Sequence, residues 1–402
     1  MCTKAKLFSI LDRFGVLIHG RPPLCQGPQS SSDRHGSAGL VLAGAGHAHA
    51  ALIALWGRRR RCRPPGPITL VSRGPALLYS GLLPAVVAGL VAPREARIGL
   101  RCLCRRAGVR LVLAEIVGLD PAGRHLLLAA GPPLAYARLS LDVGSITASV
   151  GPGEQPVRPL EQLLPLLSDP RSGLPRVPAR LRLRGGGAAA VELALALRAR
   201  GWQPSLLLRG AGLRLGSAAA DRRGAHLLAA AGIGVERFAA ADLPAHLACT
   251  GSRAPAWLAA SGLPVDVASG RVLTESSLQV RGHPDLFASG DCGLVVEAPR
   301  PPAGVWAVRA VPVLATNLRR SQARRSPRLR RWRPPARARP LRGAGGAGPG
   351  RARALALHGR WCLGPSRALW LLKLLLDRQF VRRLRPRQAR RTRPCPSSSR
   401  AA

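Results

Sequence analysis

Apolar residues along the chain gather into short runs closed by glycine, and two of these runs lead into helical periodicity. The stretch "GLVLA" (39–43) has the unbroken apolar character of a strand buried on both faces. Gly44-Ala45-Gly46 then reads as a turn, His47 to about Arg61 as a helix, and Ile68–Ser72 as the next strand, which is a βαβ pattern. "LRLRGGGAAAVELALALRARG" (181–201) repeats that order as strand, glycine turn and amphipathic helix, and "SLLLRG" supplies the strand after it. Either copy alone is weak; the repetition predicts two nucleotide-binding domains. Shorter runs end in small-residue turns at "LSLDVGS" (139–145) and "ACTGSRAPAWL" (248–258), and "GHPDLFASGDCG" (282–293) is a strand closing on Gly290-Asp291.

The pattern also marks what lies outside these units. The uncharged stretch from Gly74 to Pro93 has the length to raise a membrane span, but Pro75, Gly81, Pro84 and Gly89 interrupt it, so it reads as a loop around Tyr79-Ser80-Gly81. Asp12 and Arg13 cut the apolar run near the start, which argues against a signal peptide, and residues 1–37 read as a disordered extension. Beyond Arg319 the chain turns to Arg, Pro and Gly with no hydrophobic period, so 321–353 is expected to be disordered. Order is expected again over 354–385, with a helix from about Ser366 to Leu384, before a disordered tail at 386–402. That helix places Lys373, Asp377, Arg378 and Arg382 on one side and leucines on the other. The expected architecture is therefore α/β, with two Rossmann-like dinucleotide-binding domains and a small C-terminal region. The first domain is discontinuous (38–155 and 272–320) and encloses the second (156–271).

Composition changes this picture in two ways. The chain of 402 residues is 47% hydrophobic but only 3% aromatic, so its core must be aliphatic. Its net charge is +43, and nearly all of the basic residues are arginine. Abundant Arg, Ala, Gly and Pro are what a GC-rich coding sequence gives without selection; the functional readings are nucleic acid or an anionic membrane surface. The nine cysteines form no Cys-x-x-Cys, which excludes a dithiol redox centre of that type and fits reduced thiols in a cytoplasmic setting. Cys102 and Cys104 have the spacing of one strand face.

The candidate chemistry sits in the turns. In a strand–turn–helix nucleotide site the first glycine permits the tight turn and the second lets backbone approach a pyrophosphate. The helix N-terminus then offers free N–H groups to the phosphates. Gly44 and Gly46 meet these demands, whereas His49 stands where a third glycine would allow close helix packing. His47 and His49 are two apart, do not share a helix face and have no nearby Asp, Glu or Cys, so no metal is expected. In the second turn Gly185, Gly187 and Ala190 fit the fingerprint with its tolerated alanine, and Glu192 follows. Arg209 occupies the strand end where an acid would take ribose hydroxyls. It would favour a 2′-phosphate, hence NADP, or it is one more product of arginine bias. Arg182 and Arg184 are odd in a central strand. Asp291 ends an apolar strand where ligands sit in open α/β sheets; its bland reading is a turn or cap aspartate.

Taken together, "GAGHAHA", "LLYSGLLPAVVAG", "LSLDVGS", "GGGAAAVELALALRARG", "TGSRAPAWLAASGL", "HPDLFASGDCG" and "PRPPAGVWAVRAVPVLATNLR" resemble the flavoproteins with two dinucleotide-binding domains. That group contains type II NADH dehydrogenases and pyridine nucleotide-disulfide reductases. The similarity runs in order over residues 39 to about 319 and points to a bacterial NADH dehydrogenase-like subfamily, some of whose members are paired with or fused to selenide, water dikinase. "HGRWCLG" and "ALWLLKLLLDRQFVRRL" resemble its C-terminal end. The resemblance implies FAD and NADH or NADPH as cofactors. FAD would meet Gly44, Gly46, His47, His49, Ser72, Gly290, Asp291, Ala307 and Val308. The His-Ala-His run is usual in the subfamily, and Ser72 replaces an acid that grips the FAD ribose. NAD(P)H would meet Gly185, Gly187, Ala190, Glu192, Arg209, Thr250 and Gly251. Trp306 to Arg309 would start a helix aimed at the flavin, whose dipole steadies negative charge on the reduced ring. Departures are Ala310-Val311 where Gln-Gly is expected, Arg209 in place of an acid, and 321–350, which resembles translation in a wrong frame.

The implied activity is electron transfer from NAD(P)H through flavin to a quinone or other small acceptor, with selenide, water dikinase as a linked partner. The C-terminal helix either lies on an anionic membrane or packs on the flavin domain. Two alternatives remain: a catalytically impaired or frameshifted remnant, and a nucleic-acid binder using the arginine-rich region, against which few aromatics and no recognised motif weigh.

Overall fold

The computed structural model describes residues 38–168, 180–237, 245–322, 328–334, 341–344, 352–358 and 361–385. The expectations for 1–37 and 386–402 lie outside these residues. Along the chain come strand β1 (Leu40–Ala43), helix α1 (His47–Arg58), β2 (Ile68–Ser72), α2 (Leu100–Ala107), β3 (Arg110–Leu113) and β4 (Arg138–Leu141). Then follow β5 (Gln155–Pro156), β6 (Arg180–Arg184), α3 (Ala188–Ala199), β7 (Gln203–Leu208), α4 (Ala218–Ala230), β8 (Gly234–Arg237) and β9 (Leu247–Ala248). The chain returns through β10 (Val272–Thr274), β11 (Gln279–Val280), β12 (His283–Ala288), β13 (Gly293–Val295) and α5 (Gly304–Arg320). It closes with β14 (Leu341–Ala344), β15 (Arg353–His358), β16 (Trp361–Ser366) and α6 (Arg367–Leu384).

These elements form an eight-stranded sheet in the order β13-β10-β11-β12-β4-β1-β2-β3 and a five-stranded sheet in the order β5-β9-β6-β7-β8. Every pairing in the five-stranded sheet is parallel. So are the pairings from β12 through β4, β1 and β2 to β3. The α/β class with two parallel-sheet nucleotide-type domains is thus the observed one, and the first sheet receives strands from both sides of the second. β1 is apolar on both faces for a reason: Leu40 and Leu42 enter the core with α1, α2 and α5, while Val41 and Ala43 enter a second core containing Leu126, Leu139 and Leu258. Each fully buried leucine of this kind contributes about 1.5–3 kcal/mol.

Three expectations need correction. α1 ends at Arg58 rather than near Arg61, where Arg59 leaves helical geometry. Cys102 and Cys104 lie on α2, not on a strand, because Leu100, Leu103 and Ala107 supply a helical apolar stripe. The 321–353 segment contains order. Asn317 is fully buried and exchanges two hydrogen bonds with the backbone of Arg330 at 2.7 and 2.8 Å, and Trp332 is buried beside it. Leu341–Ala344 pairs with β15; residues 323–327, 335–340 and 345–351 lie outside the description.

α6 packs on the first domain, one of the two placements expected for it. The helix forms where expected, with Ser366 as an N-cap accepting from the Leu369 amide at 3.3 Å. Three of the four residues on its charged side face the protein, while Arg382 is exposed. Lys373 bonds to the Gly81 carbonyl at 2.6 Å and to Asp377 at 2.7 Å, Asp377 accepts from the Tyr79 hydroxyl at 2.9 Å, and Arg378 reaches Glu95 at 3.0 Å. Leu371, Leu372, Leu375 and Leu376 face outward at 45–62% exposure, beside exposed Trp361 and Leu363 of β16. The uncharged loop at 74–93 folds under this helix, and among the described residues no helix is long and apolar enough to cross a membrane.

Candidate functional site: two facing glycine turns

The first turn is built where the order of strands reverses, at the carboxyl ends of β1 and β4. Gly44 has φ +88° and donates to the Val71 carbonyl at 2.9 Å; a β-carbon there would lie 2.5 Å from the Asp142 carbonyl. Gly46 donates to that same carbonyl at 3.0 Å and caps α1 without a side chain of its own. The first-turn amide of His49 donates instead to the carboxylate of Asp142, at 2.9 Å. Gly46 and Gly290 (φ +68°) close on the Asp142 carboxyl from two sides, so β-carbons at either would collide with it.

His49 now has a place. It is fully buried, and its ring turns back under the loop, with Nδ1 at 2.7 Å from the Gly44 carbonyl and Nε2 at 2.8 Å from the Ser140 hydroxyl. Burial holds its pKa down to about 4, against the pull of the Gly44 carbonyl, so the ring is neutral at pH 7 and both nitrogens are spent on the turn. His47 points the other way: Nε2 lies 3.3 Å from the Ser80 hydroxyl and the ring tilts against Tyr79 at 5.4 Å. Burial lowers its pKa while Asp291 raises it. The start of α5 faces His47 at Gly304, where a β-carbon would stand 3.4 Å from the ring, and a β-carbon on Gly290 would stand 3.9 Å from Ala307. α5 therefore begins at Gly304, two residues before the expected Trp306, and its uncapped N-terminus abuts the first turn. Val308 is half-buried on this helix, and Ser72 ends β2 with its hydroxyl donated to Gly74 at 3.0 Å.

Two residues missed in the sequence dominate the electrostatics. Asp142 is 2% exposed, and burial pushes its carboxyl up to about 7, helped by the negative charge of Asp291 and opposed by the amides of His49 and Ala48. Its signal was available: it is an acid closing an apolar strand inside "LSLDVGS", as Asp291 is in "HPDLFASGDCG". Arg158, from the connection into the second sheet, pairs with Asp291 at 3.2 Å and donates to Ser145 at 2.9 Å, while Ser145 reaches Asp291 at 3.3 Å. Asp291 is thus held by a cation from the edge of the other domain.

The second turn repeats the first. Gly185 (φ +143°) donates to the Leu207 carbonyl at 2.9 Å, and a β-carbon on it would strike the Cys249 carbonyl. Cys249 holds the place that Asp142 holds in the first domain: each donates to the residue before its glycine turn, Cys249 to Arg184 at 2.8 Å and Asp142 to Ala43 at 2.9 Å. Gly187 caps α3, Ala190 is fully buried against the sheet, and Glu192 is half-buried one turn on. Thr250 and Gly251 follow Cys249, with the Thr250 hydroxyl donated to the Ser149 carbonyl at 2.5 Å and Gly251 exposed at φ +96°. Arg209 is exposed at the end of β7.

Of the two arginines noted in β6, Arg184 is explained, while Arg182 is half-buried with an Nε that has no hydrogen-bond partner among the described residues, and nothing in the structure explains it. Arg184 is buried because Glu154 is buried with it, at 2.6 Å and 2.5 Å through Nε and Nη2, and Arg180 is exposed at the strand's start. Burial alone would raise the Glu154 pKa, yet the Arg184 and Gly151 hydrogen bonds hold it below the ordinary value.

Chemically, the first turn can take a diphosphate: three glycines leave room for close approach, and two helix N-termini, those of α1 and α5, converge on it. The Asp142 carboxyl already takes one α1 amide, so an anion fits best when Asp142 is protonated. The second turn has no buried acid in that position and presents Cys249 instead.

No protein-family profile and no curated protein matches the chain by sequence. Solved structures do match. A ferredoxin reductase from Rhodopseudomonas palustris superposes with a TM-score of 0.61 at 20% identity, over 79% of this chain and 81% of that one. The sulfide:quinone oxidoreductase of Aquifex aeolicus gives 0.58 at 16% identity, over 87% and 92%. The water-forming NADH oxidase of Lactobacillus brevis, bound to NADH, gives 0.55 at 18% identity, over 70% and 69%. At these identities the likeness establishes a shared fold.

Proposed function

We propose that this chain is a flavoprotein oxidoreductase that binds FAD at the first glycine turn and NAD(P)H at the second. The observation that carries this reading is the repeated turn itself, with Gly44 closed on the Asp142 carbonyl and Gly185 on the Cys249 carbonyl. Such strand-end crevices hold dinucleotides in open α/β sheets. Support comes from the structural neighbours, which include a ferredoxin reductase, a sulfide:quinone oxidoreductase and an NADH-bound oxidase.

In this reading the FAD diphosphate lies against Gly44, Gly46 and the start of α1, with His49 bracing the loop from below and His47 flanking it. Asp291, steadied by Arg158, would hold the ribityl chain, and Ala307 and Val308 at the start of α5 would meet the flavin ring. Ser72 contributes a hydroxyl, in place of an acid, near the FAD ribose. Gly185, Gly187, Ala190 and Glu192 seat the second nucleotide, with Thr250 and Gly251 at its other side. Bound FAD would accept hydride from NAD(P)H and return electrons to an acceptor, so no side-chain acid or base is demanded. Without Cys-x-x-Cys the acceptor is not reached through a dithiol. The test is direct: purified protein reconstituted with FAD should show a flavin spectrum that bleaches on anaerobic addition of NADH or NADPH. A colourless protein that takes up no FAD would sink the reading.

The acceptor in this reading is a quinone drawn from a membrane, on whose cytoplasmic face the protein sits peripherally. The outward leucines of α6 favour it, since a helix that turns its charged side to its own domain leaves its apolar side for something else. Leu375→Glu with Leu376→Glu should weaken sedimentation with phosphatidylglycerol vesicles at least about tenfold, given about 1.5–3 kcal/mol per buried leucine. Unchanged sedimentation would remove the membrane from the proposal. A link to selenide, water dikinase rests on the quoted sequence segments alone.

A further inference from the structure

We infer that the second turn selects the 2′-phosphorylated nucleotide, NADPH, through a pair of arginines, Arg209 and Arg214. This rests on the nucleotide reading of that turn. The chain after β7 is Arg209-Gly210-Ala211-Gly212-Leu213-Arg214, which contains no acid to accept the ribose hydroxyls of NADH. The loop folds back over the glycine turn. The Arg214 amide donates to the Gly186 carbonyl at 2.8 Å, Arg214 bridges in parallel to Gly187, and the Gly212 carbonyl lies 3.3 Å from where a β-carbon on Gly186 would stand.

Three constraints fix that loop and its charges. Leu213 and Leu215 are buried, and the Leu215 amide is held by Asp221 at 2.6 Å. Between the two leucines Arg214 is exposed, and its guanidinium turns back to within 3.7 Å of a β-carbon position on Gly210, next to exposed Arg209. Glycine at 210 and 212 keeps this approach open. Among the described residues neither guanidinium is hydrogen-bonded or ion-paired, and Glu154, the acid whose charge reaches Arg209, is committed to Arg184. Two unspent guanidinium groups therefore flank the strand end where the adenosine ribose of a dinucleotide lies. A dianionic 2′-phosphate meets both with charge-assisted hydrogen bonds, whereas a bare ribose diol leaves both without a partner. Arginine bias accounts for the residue types but not for two exposed arginines on one short loop whose nearest acid, Glu154, is tied to Arg184.

The test needs no flavin. Titration calorimetry of the full chain with adenosine 2′,5′-bisphosphate and with 5′-ADP should give at least about tenfold tighter binding of the 2′-phosphorylated probe, since a hydrogen bond to a charged group is worth about 1.5–3 kcal/mol. Arg209→Ala with Arg214→Ala should bring the two probes to near equality. Arg101→Ala with Arg110→Ala, which removes the same charge from a distant exposed surface, should leave the preference intact. Equal affinities in the native chain, a preference that survives the first pair of substitutions, or equal loss from the control pair would each overturn the inference, as would binding of neither probe. Failure to take up FAD with the 2′-phosphate preference intact would leave the inference standing and remove only the flavoenzyme reading.

Discussion

Replacing Arg184 by Met is expected to destabilise the protein by about 3–5 kcal/mol, the cost of leaving one member of a buried ion pair without its partner. Glu154 and Arg184 are only 3% and 7% exposed, and their two hydrogen bonds are among the shortest between side chains in the structure. Met matches the length of the stem but leaves the carboxylate in an apolar setting with the Gly151 amide as its remaining donor, at 2.7 Å. The pair itself is worth much less than its rupture, because taking both charges out of water consumes most of their attraction. Arg184→Met with Glu154→Leu should therefore regain most of the loss, and urea unfolding of the single and double variants measures this. The deficit of the single variant depends on pH. Pairing holds the Glu154 pKa below its unfolded value, so the stabilisation is present above that value and disappears as pH falls. The native chain and Arg184→Met should thus converge in acid. A double variant as unstable as the single one would show that the arginine acts by packing rather than by charge.

Asp142→Asn is expected to remove a pH-dependent penalty of about 4 kcal/mol from the first domain. The sign follows from the proton balance. Native Asp142 keeps its proton up to about pH 7, whereas the unfolded chain releases it near the ordinary 3.8. Between those values the native state binds more protons, so stability falls as pH rises, by about 1.4 kcal/mol per unit, and levels off above 7. Asparagine keeps the shape and has nothing to titrate. Thermal unfolding should find the variant and the native chain close near pH 4 and the variant increasingly more stable toward pH 8. Parallel profiles across that range would show that the buried carboxyl is not the group that titrates.

Much of the fold was legible because its signals are local. β1 is four apolar residues before a glycine with positive φ, and a second strand, glycine turn and helix around Gly185 announced the second domain despite the arginines in its strand. Gly44, Gly46, Gly290 and Asp291 could be singled out because each stands at the end of an apolar run. What stayed hidden depends on contacts between distant parts of the chain. Nothing near Asp142 in sequence says that it caps a helix 93 residues earlier, and Arg158 meets Asp291 across 133 residues. His49 looked like a defect because a glycine rule concerns space, while the ring's partner, Ser140, comes from another strand. Which side of α6 the domain covers was hidden for a related reason: an amphipathic pattern states that a helix has two faces but not which of them the domain will cover. Tyr79, Gly81 and Glu95 had already assembled a polar seat for the charged one.

That seat ties the order of synthesis to the completion of the first turn. His47 leans on Tyr79, and Tyr79 is fixed by Asp377, which follows it 298 residues later; Gly81 waits 292 residues for Lys373. A nascent chain that has already formed β1, Gly44 and α1 still lacks the clasp over that turn until α6 has emerged from the ribosome and docked. Under the proposed function, nucleotide capture at the first turn would then be a late event in biogenesis. A chain cut short before Arg367 would carry both glycine turns intact and yet leave the wall beside His47 unfastened.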